Sequence, residues 1–169
     1  MSHPYFISDL HLGHKRVLNF NNVFDDGKIY RQGNNIEEHD QWLIDSINSK
    51  VNKRDKLFIL GDVAMNLTSL DRLKELHCRN KLLIRGNHDV FPLHKYLEHF
   101  IDVQGALKYK EFILTHIPIH PQELYRWKNV HGHCHLKSVP DTEHYLNVCV
   151  EQVNGVPLSL EEVRERFHA

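Results

Sequence analysis

The sequence predicts an α/β fold in layers: a sheet covered by helices, with a more antiparallel portion supplied by the C-terminal half. Three observations lead there. Short apolar runs recur along the chain, each closed by turn or polar residues; helical patterns separate several of them in the first half; and the second half holds strands with few helices.

The runs, in order, are PYFIS (4–8), KLFIL (56–60), KLLIR (81–85), FILT (112–115), WKNV (127–130) and YLNVCV (145–150). They show little alternation, as in strands buried on both faces. Residues 36–51 place Ile36, Leu43, Ile44, Ile47 and Val51 on one side of an amphipathic helix whose other face is acidic and polar. A second helix is expected from about Thr68 to His77, with Leu70, Leu73 and Leu76 toward the core and Thr68 or Ser69 as N-cap. Pro92 suits the first position of a third, shorter helix. LKYKEFILTH reads as a hairpin, and Ser159 three residues ahead of Glu162 forms a capping box opening a C-terminal helix. The polar stretch 21–35 is a long connection of the kind that is often functional or mobile.

At 169 residues, 41% hydrophobic and 25% charged, the chain suits one soluble domain spanning 1–169. Its apolar runs are far shorter than the ~20 residues a bilayer requires, and the N-terminus does not read as a secretory signal, so a cytoplasmic location is expected and no membrane partner. Cys78, Cys134 and Cys149 make an odd count without a CxxC pair, which argues against disulfides and thiolate zinc. A net charge of −1 argues against binding long nucleic acid by counterion release. Fifteen histidines stand out, and position must decide which matter.

Five apolar strands end in residue types that bind divalent metal. FISDLH brings Asp9 and His11, LFILGD Asp62, LLIRGNHD Asn87, His88 and Asp89, FILTH His116, and NVHGHCH His133 and His135. In open α/β sheets the carboxyl ends of strands gather at one edge, where ligands bind. Two carboxylates, an amide and four imidazoles suit Mn, Fe or Zn better than Ca. Seven donors exceed one tetrahedral zinc and fit two ions sharing a carboxylate, about 3.5–4 Å apart. Two such ions, two aspartates and a bridging hydroxide leave a net positive site for an anionic ester. Gly61, Gly86 and Gly132 precede these donors, where a missing side chain permits a sharp turn and close approach to an ion.

DxH at 9–11, GD at 61–62, GNHD at 86–89, a lone His116 and GHxH at 132–135 together resemble the calcineurin-like metallophosphoesterase superfamily, with the motifs in order across positions 9–135. The resemblance implies a four-layer α/β/β/α sandwich of two mixed sheets flanked by helices, in a short, uncapped member. It implies one ion held by Asp9, His11, Asp62 and His135, and another by Asp62, Asn87, His116 and His133. It makes His88 the general acid to the leaving oxygen, with Asp89 hydrogen-bonded behind it and Asn87 alongside, and a metal-bound water or hydroxide the nucleophile. The expected cofactors are two divalent ions, manganese ahead of Fe, Zn or Ni.

His14, Lys15, Arg16, Tyr30 and Arg31 follow the first motif, where a basic group can hold a phosphate oxygen; His14, Arg16 and Arg31 are the candidates, with solvated surface as the bland alternative. After His116, His120, Tyr125, Arg126 and Trp127 form a candidate second wall able to stack a base, Trp127 serving equally as core; His120 and Arg126 are its substrate contacts. Cys134 is assigned to packing, and His131 to support at most. The expected function is hydrolysis of phosphodiesters of small or nucleotide-like substrates, with a nucleotide or short nucleic acid as possible partner. The alternatives are a phosphomonoesterase acting on nucleotides or phosphoproteins, a catalytically weak binding scaffold of the same fold, and a nuclease.

Overall fold

The computed structural model describes residues 2–22 and 26–168. Of the connection 21–35, residues 23–25 lie outside the described residues. The first sheet joins β1 (Pro4–Ile7), β2 (Lys56–Ile59), β3 (Asn80–Ile84), β4 (Asp102–Gln104) and β9 (Leu158–Ser159) in the order β4-β3-β2-β1-β9. Its first four strands run parallel; β9 is antiparallel to β1. The second sheet, in the order β5-β6-β7-β8, holds β5 (Ala106–Tyr109), β6 (Phe112–Thr115), β7 (Lys128–His131) and β8 (Tyr145–Asn147).

The anticipated hairpin is β5 and β6, with Tyr109 opposite Phe112 and Lys110 taking a left-handed φ of 57° in the two-residue turn. The remaining pairs of this sheet are parallel, so the C-terminal half is less antiparallel than its strand-rich sequence suggests. Loops long enough to carry chain back across the sheet, 116–127 and 132–144, permit parallel return where a tight turn does not.

The sheets pack face to face. Phe6 and Phe58 of the first stack at 5.1 Å, and Tyr109 of the second lies 4.7 Å from Phe58. Such pairs add about 1 kcal/mol each beyond burial. Around them Ile7, Leu57, Ile59, Leu83, Leu114 and Val130 are buried in one continuous core. Helices α1 (Ile36–Lys50), α2 (Leu67–Asp71), α3 (Leu93–Leu97), α4 (Val150–Val153) and α5 (Leu160–Arg166) flank them, giving the α/β sandwich of two mixed sheets that the resemblance implies. No described helix is long and apolar enough to cross a membrane.

Helix α1 buries Leu43, Ile44 and Ile47 as its period requires, and also His39 and Asp40, which the sequence leaves on no apolar face. The Ser159 capping box is present at α5. Three boundaries differ from expectation. The second helix is capped by the Asn66 side chain, which accepts from Ser69 N–H, and its α-helical part ends at Asp71 before a 3₁₀ turn, Arg72–Glu75. Pro92 is the N-cap of α3 and not its first residue. The run YLNVCV stops being a strand at Asn147: Cys149 caps α4 and Val150 begins it.

That last break matters to the site. Ser8, just past β1, bridges Cys149, with Ser8 N–H donating to Val148 O at 2.9 Å and Val150 N–H to Ser8 O at 3.1 Å. The two sheets are thus tied together where β1 and β8 end, which draws the carboxyl ends of both into one cleft.

Candidate metal centre

Every one of the seven expected donors lies at the carboxyl end of a strand, and the geometry sorts them into two groups. Asp9, His11 and His135 bring donor atoms together, as do Asp62, His116 and His133. In the first, Asp9 Oδ1 is 3.6 Å from both His11 Nε2 and His135 Nε2. In the second, His116 Nε2 is 3.4 Å from Asp62 Oδ2 and 3.0 Å from Asn87 Oδ1. Asp62 Oδ2 faces both groups, lying 3.7 Å from His11 Nε2. The ring of the exposed His133 meets that of His116 edge-on at 5.1 Å.

Each buried donor is aimed by a partner on its other side. Asp9 Oδ2 accepts from His133 N–H at 2.8 Å and from the Cys149 thiol at 3.1 Å, and Ser8 Oγ lies 2.5 Å away, leaving Oδ1 free. Asp62 Oδ1 accepts from His88 N–H at 2.8 Å, leaving Oδ2 free. His116 Nδ1 donates to Leu60 O at 2.7 Å, which fixes the tautomer with Nε2 as the free donor atom. His135 Nδ1 lies 3.0 Å from Glu151 Oε1, which orients its Nε2 in the same way.

Buried Asp9 Oδ1 and His11 Nε2 find no hydrogen-bond partner among the described residues. Leaving such groups unsatisfied costs on the order of 1–3 kcal/mol each. Two ligands of one cation, at bonds of about 2.1 Å, stand roughly 3–3.5 Å apart, close to the spacings found here. The oxygen and imidazole donors therefore fit divalent cations. Burial alone works to raise the Asp9 carboxyl, yet the surrounding imidazoles hold it far below the usual carboxylate range. Burial likewise opposes the charged form of His116, but Asp62 and Asp9 outweigh it and push its pKa up to about 9. The imidazoles are doing for two buried carboxylates what a cation does better.

The backbone is bent to reach this arrangement. Asp9, His11, Asp62, His133 and His135 all take left-handed φ values, between 49° and 67°. Five of the eight non-glycine residues in that region, among those described, are donors in these groups. Each costs about 1–2 kcal/mol, and strain of this kind collects at functional sites. The glycines serve the donors more than the ions. A Cβ on Gly132 would sit 1.9 Å from Ser8 Oγ and 2.4 Å from Asp9 Oδ2, and one on Gly86 2.3 Å from Asp62 Oδ1.

The profile of calcineurin-like phosphoesterases matches residues 4–164, nearly the whole chain. The chain belongs to the calcineurin-like phosphoesterase family. Members of this family are generally hydrolytic phosphoesterases and typically bind divalent metals. The chain is 31% identical over 169 aligned positions to an uncharacterized protein of Methanocaldococcus jannaschii, covering 93% of this chain and 86% of that one. It is 37% identical over 94 residues to the gene 66 protein of Mycobacterium phage L5, a match covering 53% of this chain and 41% of the phage protein's length. A crystal structure of a protein of unknown function from Aquifex aeolicus shares the fold, with a TM-score of 0.75 at 22% identity over 98% of this chain and 99% of that one.

Several residues expected in this phosphoesterase site stand elsewhere. Asp89 is buried and does not back His88: its Oδ2 accepts from Asp62 and Gly86 N–H groups at 2.9 and 2.8 Å, and its Oδ1 from Val63 N–H at 2.9 Å. Three backbone donors at the turn outcompete an exposed imidazole for one carboxylate. His88 itself is exposed, its ring 5.7 Å from that of His11. Asn87 is beside His116, as expected.

Arg31, a candidate substrate contact, is turned into the protein. It is fully buried, donating from Nε to Glu151 Oε1 at 2.7 Å, from Nη2 to Asp9 O at 2.7 Å and from Nη1 to Leu10 O at 3.1 Å. A guanidinium this enclosed needs an anion and several acceptors, and Glu151 with the turn after β1 supplies them. His39 Nε2 lies 3.2 Å from Arg31 Nη1, and Asp40 accepts from Gly13 N–H at 2.8 Å, so α1 braces the same turn. Burial works to raise the Glu151 carboxyl, but Arg31 and His135 hold its pKa down to about 2.

His14 is beside the cluster, its ring 5.6 Å from His11, with a buried Nδ1 that lacks a partner among the described residues. Arg16 is exposed and makes no side-chain hydrogen bond among those residues. His120 is exposed and accepts from Gln122 N–H, and Arg126 lies over the Trp127 ring at 5.3 Å. No described hydrogen bond or ring contact joins either to the cluster. The aromatic ring that does reach it is Phe20, 4.7 Å from His135.

Proposed function

We propose that the chain is a divalent-metal-dependent phosphodiesterase of small or nucleotide-like esters, with residues 1–169 acting as one domain in a reducing cytoplasm. The observation that carries this reading is the Asp62 Oδ2 atom, 3.7 Å from His11 Nε2 and 3.4 Å from His116 Nε2, one oxygen common to two donor groups. In this reading Asp9, His11, Asp62 and His135 hold one ion, and Asp62, Asn87, His116 and His133 the other, manganese being the first choice. When bound, such a pair supplies Lewis acidity toward a phosphoryl oxygen and the attacking water.

The chain's own residues do the rest. His88, exposed at the mouth, protonates the leaving oxygen. His14, whose Nδ1 has no hydrogen-bond partner among the described residues, orients a phosphoryl oxygen, and Arg16 adds charge nearby. Asp89 ties the turns after β2 and β3 together through three backbone N–H groups, so that Asp62 and His88 keep their spacing. The exposure of Asn87, His88 and His133 supports an open cleft able to admit both substituents of a diester.

The test is turnover by the manganese-loaded protein of bis(4-nitrophenyl) phosphate against 4-nitrophenyl phosphate. Faster diester cleavage is the expected result. Monoester cleavage alone overturns the diester preference, and metal binding without either activity makes the chain a scaffold.

A further inference from the structure

A cavity of about 400 Å³ opens beside the metal centre, lined by Phe20, His133, Cys134, His135, Leu136 and Lys137. Its volume is that of a small-molecule site. We infer that this cavity seats the nucleoside portion of a nucleotide-type ester, with Phe20 as the flat face and Lys137 at the rim; the inference rests on the phosphoesterase reading above.

Both walls are fixed. Phe20 lies in the 3₁₀ turn Val17–Asn22, anchored by the buried Val17. Asn21 closes the other side, its Oδ1 accepting from Tyr30 and Arg31 N–H at 2.9 and 2.8 Å while its Nδ2 donates to Arg31 O at 2.8 Å. The Phe20 ring meets His135 edge-on at 4.7 Å and His14 at 5.7 Å, with the Arg31 guanidinium 5.5 Å from its centroid. Across the cavity, Asn147 Nδ2 donates to the carbonyls of His135 and Lys137 at 2.9 and 3.0 Å.

The chemistry of the lining selects the occupant. Phe20, Leu136 and the histidine rings offer a flat apolar slot, against which a base stacks. Lys137 is exposed and makes no ion pair among the described residues, so its ammonium is free for the carbonyl oxygens of a base. A hydrocarbon chain has nothing for that ammonium to meet. Trp127, which the sequence suggested for stacking, does not line this cavity and has Lys108 and Arg126 both 5.3 Å from its ring.

The experiment is calorimetric titration of the manganese-loaded protein with two ligands that cannot be cleaved: methylphosphonate, and the phosphonate isostere of thymidine 5′-monophosphate, in which carbon replaces the ester oxygen. Wild type is expected to bind the nucleoside phosphonate about tenfold more tightly. Phe20→Ala, and Phe20→Leu as a variant that keeps apolar bulk, should bring the two ligands within about twofold while methylphosphonate binding holds. Equal affinity in wild type, or a preference that survives both substitutions, overturns the inference while leaving the phosphoesterase reading intact. A manganese-loaded protein that binds neither ligand also overturns the inference, and the phosphoesterase reading is then decided separately by turnover of bis(4-nitrophenyl) phosphate.

Discussion

Glu151→Gln tests the support beneath the metal centre. Glu151 is 3% exposed and Arg31 0% exposed, with their charged atoms 2.7 Å apart. The amide keeps the shape and removes the charge, leaving an enclosed guanidinium without its anion, a change that costs about 3–5 kcal/mol. The fall of the Glu151 pKa from 4.5 to about 2 gives a similar figure, about 3 kcal/mol. Because the folded-state value is the lower one, this stabilisation is complete above pH 4.5 and lost as pH falls toward 2. Urea unfolding of the metal-free protein should therefore show the gap between wild type and Glu151→Gln at pH 7 closing through that window. The acceptor at His135 Nδ1 also becomes a neutral amide oxygen, a weaker orienting partner than the carboxylate, so manganese affinity should drop about 10–100-fold. Adding Arg31→Met should restore much of the stability, since the stranded charge is gone, but not the affinity. A loss under about 1 kcal/mol together with unchanged manganese binding would refute the reasoning.

Other substitutions separate support from chemistry. His88→Ala should lower diester turnover about 10²–10⁴-fold with metal content unchanged by elemental analysis; loss of metal would show that His88 is a ligand. Asp89→Ala strands three backbone N–H groups and should lower the urea midpoint by the equivalent of about 2–4 kcal/mol; a drop in turnover at full stability would return Asp89 to the role of partner for His88. Gly132→Ala would force a Cβ to within 2.4 Å of Asp9 Oδ2, so manganese titration should show the Asp9 group weakened first; two unaltered sites would mean that the loop yields without cost.

The donors were legible in the sequence because buried strands read as uninterrupted apolar runs, and Asp, Asn or His at their ends is conspicuous. Their grouping was legible only through the resemblance of five spaced motifs. Their support was not legible. Arg31 and Glu151 are 120 positions apart, and nothing local marks a polar-loop arginine as buried. Glu151 did carry a signal, a lone carboxylate within VCVEQV, where an ionised group among apolar neighbours requires a partner. The same valine-rich run hid the start of α4, because an apolar tract of that length fits a strand or a buried helical turn equally well. The resemblance sets Asp89 behind His88, whereas the turn aims its carboxylate at three backbone N–H groups. The left-handed conformation of five donors comes from tertiary packing and leaves no trace in residue type, Asp and His being tolerated there.

Paramagnetic resonance during manganese titration of metal-stripped protein tests the central claim most directly, that two donor groups share Asp62. The account predicts two manganese ions per chain and, as the second enters, the exchange-coupled spectrum of a bridged pair. Saturation at one ion, or two ions giving the plain six-line signal of isolated manganese, would contradict it.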